Sequence, residues 1–327
     1  MLIDIFMELI GRILLQMNKT TPITPIFKVK DNNIFIKRDD INYLPFGGNK
    51  VRKLELFLKD AKEKKANYIV TYGSMQSNHC RLTVSMAQQL GFKVLLILAK
   101  PDKVHYNGNF LIYDLYDTQI VWTETSNVPE TINETVNALR NQGHTPYFIQ
   151  GGGHGDIGTH AYKLAFDEIL MQEDELNISF SHIFHASGTG TTQAGLIAGN
   201  IINRRDKQII GVSIARNKVR GLEVIEESVQ SYLKSFAPKH VNTDTIHFID
   251  EYIGEGYADV YSEVVDTIKE VIKNSGIILD PVYTGKAFYG MMDYIEKNGI
   301  KGKDILFIHT GGIPLLFNYA NEFKRSN

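Results

Sequence analysis

The sequence holds a single cysteine, Cys80, so no intrachain disulfide can form. A reducing compartment, the cytoplasm, is therefore the expected location. A membrane span is also missing, since no run approaches the roughly 20 apolar residues needed. The apolar start, MLIDIFMELIGRILLQMNK, is interrupted by Asp4, Glu8 and Arg12. It lacks the basic start and unbroken apolar stretch of a secretory signal. It reads as an amphipathic helix docking on the body of the protein or on a partner subunit, with an over-extended start codon as the alternative. No strong charge of one sign is present: the net charge is −2, which gives no case for nucleic acid or an anionic membrane. The local trio Lys50, Arg52 and Lys53 is explained by a helix start near an anion. Low-complexity linkers and internal repeats are absent, and no metal site is expected.

What the sequence does hold is a soluble globular profile, 43% hydrophobic and 22% charged, long enough for one large domain or two ordinary ones. Short β-branched runs alternate with helical stretches. NYIVTY (core 68–72), KVLLILA (93–99), QIVW (119–122), YFIQ (147–150), HIFHA (182–186), QIIGVSI (208–214) and ILFIH (305–309) read as strands. Continuous apolar strands separated by helices imply parallel sheets covered on both faces, hence an α/β fold. Val51, Leu54, Phe57, Leu58 and Ala61 fall at helical spacing and define one buried stripe. Gly47, Gly48 and Asn49 precede them as a turn, which puts Lys50 at a helix start.

Five segments at strand–helix junctions could carry chemistry. In FGGNKVRKLE (46–55), Lys50 has a bland reading as a solvated first-turn lysine. A lysine there faces the positive end of the helix dipole, a penalty that makes sense if the amine must be neutral. Arg52 and Lys53 are candidates for lowering its pKa. In GSMQSNHCR (73–81), Ser77 or Asn78 serves as a simple N-cap, or the free amides of the helix start bind a carboxylate. ASGTGTTQAGL (186–196) resembles a dinucleotide fingerprint, but Gln193 stands at the third glycine position. Its hydroxyls and helix-start amides suit a phosphate monoester better than a pyrophosphate; a plain Gly-rich turn is the alternative. LDPVYTGKAFYG (279–290) presents Tyr283 and Thr284 on a rigid turn, although a lone tyrosine there is more often a packing residue. FIHTGGIP (307–314) completes the set.

Together, IFIKRDD…GGNKVRKLE, QSNHCR, ASGTGTTQAGL, DPVYTGKA and FIHTGGIP resemble the D-cysteine desulfhydrase and 1-aminocyclopropane-1-carboxylate (ACC) deaminase family. These are fold-type II enzymes of pyridoxal 5′-phosphate (PLP), like the tryptophan synthase β-subunit. The motifs stand in family order from about residue 34 to 320. The resemblance implies two open twisted α/β domains with PLP in the cleft between them: a large domain over 1–54 plus 161–327 and a small one over 55–160. It implies a homodimer and a small amino-acid substrate. It assigns the Schiff base and proton shuttling to Lys50, and the cofactor's 3′-hydroxyl to Asn78. Ser77 and His79 go to the substrate-carboxylate loop, with Ser77 close to the reacting carbon. The phosphate goes to Gly188, Thr189, Gly190, Thr191 and Thr192. Tyr257 and Tyr283 line the substrate side, and Thr284 or Thr310 meets the pyridine nitrogen.

The family's deaminase branch typically has Glu after the tyrosine of DPVY, where this sequence has Thr284. With QSNH in place of QSNQ, this points to β-elimination, most simply of D-cysteine to pyruvate, hydrogen sulfide and ammonia. Lyases for cysteate, β-chloroalanine or serine, an ACC deaminase, and a non-catalytic PLP-binding protein are the competing readings. GGGHGD (151–156) departs from the usual desulfhydrase turn, which leaves the exact substrate open, and His154 is expected in a surface loop, with contact to substrate as the alternative.

Overall fold

The computed structural model describes residues 20–234 and 246–324. The segment expected to form an N-terminal amphipathic helix, 1–19, lies outside the described residues. The chain divides into two compact units, one built on Lys53–His154 and the other on Thr20–Arg52 with Gly155–Asn327.

The larger unit carries a six-stranded sheet. Its strands are β1 (Ile23–Val29), β2 (Asn32–Lys37), β7 (Phe180–Ser187), β8 (Gln208–Ser213), β9 (His247–Ile249) and β10 (Asp304–Ile308), in the order β1-β2-β10-β7-β8-β9. All pairs are parallel except the β1–β2 hairpin. Alternate side chains feed two cores. Ile183, Leu306 and Ile308 join one with Tyr162, Ala198 and Val229. Phe184, Ile305 and Phe307 join the other with Ile268, Phe288 and Met291. That two-sided burial is why these strands read as unbroken apolar runs.

Helices α5 (Asp156–Leu176), α6 (Thr191–Ile202) and α7 (Lys218–Lys234) cover the first face, and α8 (Ser262–Ser275) and α9 (Thr284–Lys297) the second. The observed unit runs over Lys53–His154 where 55–160 was expected, and the larger difference, at the far end, arises because residues 156–160 open α5. That helix buries Tyr162, Phe166 and Ile169 in the larger core.

The smaller unit holds a parallel sheet in the order β5-β4-β3-β6, from β3 (Tyr68–Ser74), β4 (Lys93–Ala99), β5 (Gln119–Thr123) and β6 (Pro146–Ile149). Its helices are α2 (Asn78–Gln89), α3 (Gly108–Leu115) and α4 (Val128–Asn141). Helix α1 (Asn49–Glu63) begins with Lys50 as its second residue, and the expected stripe of Val51, Leu54, Phe57, Leu58 and Ala61 is buried throughout. No helix among the described residues is long and apolar enough to cross a membrane.

Candidate active site

In the larger unit the start of α1 is strapped to the loop after β10. Gly48 and Gly311 form an isolated antiparallel bridge, and the Asn49 amide donates to the Thr310 carbonyl at 3.1 Å. Both glycines have positive φ, +130° and +92°. A Cβ on Gly48 would lie 2.4 Å from the Thr310 carbonyl oxygen, and one on Gly311 would lie 2.6 Å from that of Gly47. Any side chain would push the two loops apart. The Asn49 side chain then donates to Thr192 Oγ1 at 3.1 Å. This ties the lysine-bearing turn to the start of α6, so three of the five segments meet around Lys50.

Lys50 itself is half-buried. No hydrogen bond or ion pair holds its amine among the described residues. Protein packed around the amine dehydrates the charged form and lowers the pKa to about 8. This corrects the expectation that Arg52 or Lys53 supplies that shift. Arg52 points the other way, into a buried charge cluster. It donates to Asp39 at 2.9–3.1 Å, to Glu168 Oε2 at 2.7 Å and to Thr21 Oγ1 at 2.9 Å. Its neighbour Lys53 is fully buried and belongs to the other unit.

The turn over Gly188–Thr192 bends through Gly190, φ +83°, into α6, whose first amides have no partner within the helix. Arg216, which sequence reasoning did not single out, donates to the Gly188 carbonyl at 2.6 Å. It places a cation beside that turn; nothing in the SIARNK stretch marks it beforehand. Gln193, at the expected third-glycine position, ties α6 to the sheet through the His247 carbonyl, 2.7 Å.

The DPVY turn is organised by Asp280, a fully buried carboxylate that the sequence reading also passed over. It accepts from the amides of Val282, Tyr283 and Thr284 and from the Thr284 hydroxyl, at 2.7–3.0 Å. Burial raises its pKa, and the Thr284 amide and hydroxyl, the Tyr283 amide and His309 oppose the rise. The Thr284 hydroxyl also accepts from the Asp280 amide, 2.9 Å, and the residue has no exposed surface. Thr310 carries no such engagement at its hydroxyl among the described residues.

Tyr257 and Tyr283 do come together, their hydroxyls 2.7 Å apart. The loop bearing Tyr257 is clamped by Lys286, whose amine donates to the carbonyls of Ile253, 2.6 Å, and Gly256, 3.3 Å.

In the smaller unit, Ser77 is the N-cap of α2, accepting from the Cys80 amide at 3.2 Å. The bland reading of this position thus holds, and its hydroxyl proton is left to donate elsewhere. Asn78 opens the helix, half-buried. His79 departs from its expected place in a carboxylate loop. Its side chain is buried, and Nε2 donates to Thr71 Oγ1 at 2.9 Å, because the Thr71 hydroxyl proton is already given to the Ile149 carbonyl. His154 lies in the loop before α5, half-buried. Burial pushes the Cys80 thiol up to about 12, which leaves it protonated and unreactive. No cluster of metal-ligating side chains occurs among the described residues.

Comparison with known proteins fits this geometry. The family described as pyridoxal-phosphate dependent enzyme matches residues 14–311. The chain belongs to that family. A protein of Pyrococcus furiosus named a putative 1-aminocyclopropane-1-carboxylate deaminase is 37% identical over 300 residues, 91% of this chain and 90% of the relative. The D-cysteine desulfhydrase of Yersinia pestis is 36% identical over 312 residues, covering 91% and 93%. A crystal structure of an ACC deaminase homologue superposes with a TM-score of 0.84 at 34% identity, covering 93% of this chain and 92% of the other. An O-ureido-L-serine synthase shares the fold, with a TM-score of 0.68 at 15% identity.

The residues present fit PLP. Lys50 offers an unpartnered amine of lowered pKa, and Gly188–Thr192 offers helix-start amides beside Arg216, joined to the lysine turn through Asn49.

Proposed function

We propose that the chain catalyses PLP-dependent α,β-elimination on a small β-substituted amino acid, with D-cysteine the leading substrate and pyruvate, hydrogen sulfide and ammonia the products. The observation that carries this reading is Lys50: a dehydrated amine with a pKa of about 8, on a turn held by two positive-φ glycines. A neutral amine is the form that attacks a carbonyl and takes up a proton, and burial makes it accessible near neutral pH. When bound, PLP supplies an electron sink for the pair left at Cα.

In this reading Lys50 holds the cofactor and moves the Cα proton. Gly188, Thr189, Gly190, Thr191 and Thr192 bind the phosphate, and Thr310 faces the pyridine nitrogen. Thr284 is the weaker candidate for that nitrogen, since its hydroxyl is already engaged with Asp280. Ser77 and the helix-start amides of α2 receive the substrate carboxylate. The Tyr257–Tyr283 hydroxyl pair protonates the departing sulfur. The names of the relatives divide between deaminase and desulfhydrase. A neutral Thr284 where the deaminase branch typically has Glu favours elimination of a good leaving group over opening of a cyclopropane ring.

The test is a substrate panel on the PLP-loaded protein: D- and L-cysteine, β-chloroalanine, serine, cysteate and ACC. The products measured are pyruvate and sulfide, and the four-carbon keto acid from ACC. Pyruvate and sulfide from D-cysteine above the rest support the reading. Turnover of ACC alone overturns the substrate, and a borohydride-reducible cofactor on Lys50 without turnover of any of the six overturns the activity.

A further inference from the structure

The smaller unit contains a chain of amides whose hydrogen-bond polarity is fixed from one end to the other. It starts at the Gln76 carbonyl, which can only accept. Asn109 lies against it at 2.8 Å, so the atom of Asn109 that makes this contact must be the nitrogen Nδ2. That same nitrogen makes the 2.9 Å contact to Asn78, so the atom of Asn78 facing it must be the oxygen Oδ1. The donor end of Asn78, Nδ2, is therefore turned away from the network, and no residue among those described holds it.

Asn109 cannot reverse. Its own amide N–H donates to Gln76 Oε1 at 2.9 Å, and Gln76 Nε2 donates in turn to the Asn107 carbonyl at 3.1 Å. These bonds hold the Gln76–Asn109 segment in one register. Packing alone gives no reason for an amide at 109. The residue is fully buried and its Oδ1 has no hydrogen-bond partner among the described residues, an expense that a leucine there would avoid.

We infer that Asn109 is a positioning residue that decides which end of the Asn78 amide is presented, holding Nδ2 outward as a donor for an anionic oxygen. This rests on the PLP reading of the site and on the expectation, implied by the family resemblance, that Asn78 meets the cofactor's 3′-oxygen, and it states why that contact is a donation. A donor stabilises the ionised, phenolate form of that oxygen; an acceptor in its place would favour the protonated form.

The experiment reads the cofactor's two absorbance bands, phenolate form against phenol form, across a pH titration of the PLP-loaded protein. Asn109→Asp can only accept from Asn78, so Asn78 turns its oxygen outward. The phenolate-to-phenol ratio at fixed pH is expected to fall by roughly tenfold, a shift of about one pH unit in the titration. Asn109→Ala frees Asn78 without adding charge, and it moves the ratio in the same direction by less. It also keeps the test open if the aspartate variant does not fold.

Both effects are expected to vanish in an Asn78→Ala background, because a residue that acts through Asn78 has nothing left to act on. An unchanged ratio in folded, PLP-loaded Asn109→Ala overturns the proposal. So does the same shift with and without Asn78. If the wild-type protein carries no borohydride-reducible cofactor on Lys50, the reading of the site fails first and this proposal falls with it.

Discussion

Lys37 and Lys50 lie in the same unit, and burial lowers the pKa of both, but they are housed in opposite ways. The Lys37 amine is enclosed by the Thr21 carbonyl at 2.6 Å, Gln172 Oε1 at 2.5 Å and the Glu168 carboxylate. Asp39 and Glu168 offset its desolvation. Around it Arg52, Asp39, Glu168 and Tyr162 form a cluster in which each charge has a partner. Burial opposes ionisation of Asp39, but Arg52, Lys37 and the hydroxyl of Tyr162 outweigh it and its pKa falls below the ordinary carboxylate range. Lys50 has none of this. Desolvation acts on it alone, so its amine is the one poised to lose its proton near neutrality. A buried lysine with partners is a structural cation; a buried lysine without them is a base and a nucleophile.

The sharpest way to break this contrast is to remove the Lys50 amine. Lys50→Ala is expected to lower turnover on the order of 10³-fold or more, and to abolish the borohydride-trapped cofactor adduct. A mutant that keeps both, at one site, would make one of the clamped lysines the cofactor residue and dissolve the distinction drawn above.

The clamped side is tested by Glu168→Ala. It leaves Lys37 and Arg52 with Asp39 as their one remaining carboxylate, and it removes the acceptor of the Thr21 amide at 3.0 Å. Breaking a buried pair from one side costs about 3–5 kcal/mol. Urea denaturation should show a loss in that range, while Lys50 in the surviving folded fraction still binds cofactor. A loss within 0.5 kcal/mol would mean the cluster is solvated and contributes no anchoring to α1.

The unclamped side makes a prediction about pH. The folded pKa of Lys50, about 8, lies below its ordinary 10.5, so the folded chain gives up a proton that the unfolded chain keeps over that window. Stability of the cofactor-free protein should therefore rise as pH climbs from about 8 to about 10.5, and the cost of the buried charge is fully present below 8. Lys50→Met removes the cost. The cofactor-free mutant should be more stable than wild type at pH 7 by on the order of 2 kcal/mol, once partial exposure is allowed for, and the gain should disappear by pH 10.5. Denaturation midpoints at pH 7, 9 and 10.5 give the comparison, and a gain independent of pH would mean charge is not its origin.

Most of the sheet was legible because its strands are buried on both faces and leave continuous runs such as IIGVS and LLIL. The β1–β2 hairpin was not. Its two-residue turn is Lys30-Asp31, both at positive φ, where Asn-Gly would have marked it, and Pro25 interrupts the first strand. β9 has three residues, too few for any periodicity. The motif glycines and Lys50 stood out by residue type, while the tyrosine pair came from the family resemblance. Asp280, Asn109, Arg216 and Lys286 did not, because each acts through contacts distant in the chain or through backbone atoms. The expected role of His79 came from the family resemblance, and nothing in the linear sequence reports Thr71 beneath it.

The smallest effects separate two threonines that the sequence left as alternatives. Thr284 is saturated: its hydroxyl donates to Asp280 Oδ1 at 2.7 Å and accepts from the Asp280 amide at 2.9 Å. Thr284→Val keeps the shape, removes both bonds and leaves a buried amide and carboxylate short of a partner. It should cost about 1–3 kcal/mol of stability and leave the PLP dissociation constant of the folded protein unchanged. Thr310 is the reverse. Its carbonyl holds the Asn49 amide, which valine preserves, and its hydroxyl has no partner among the described residues. Thr310→Val should change stability by no more than about 0.5 kcal/mol. It should weaken PLP binding by about 5- to 10-fold, the worth of one hydrogen bond to the ring nitrogen. Fluorescence titration of PLP into the cofactor-free variants, beside their urea curves, gives all four numbers. If Thr284→Val weakens the cofactor more than Thr310→Val does, the Asp280 carboxylate is acting on the ring through Thr284. An anionic partner would then stand one bond behind the hydroxyl, and the argument from Thr284 against ring-opening chemistry would lose its force.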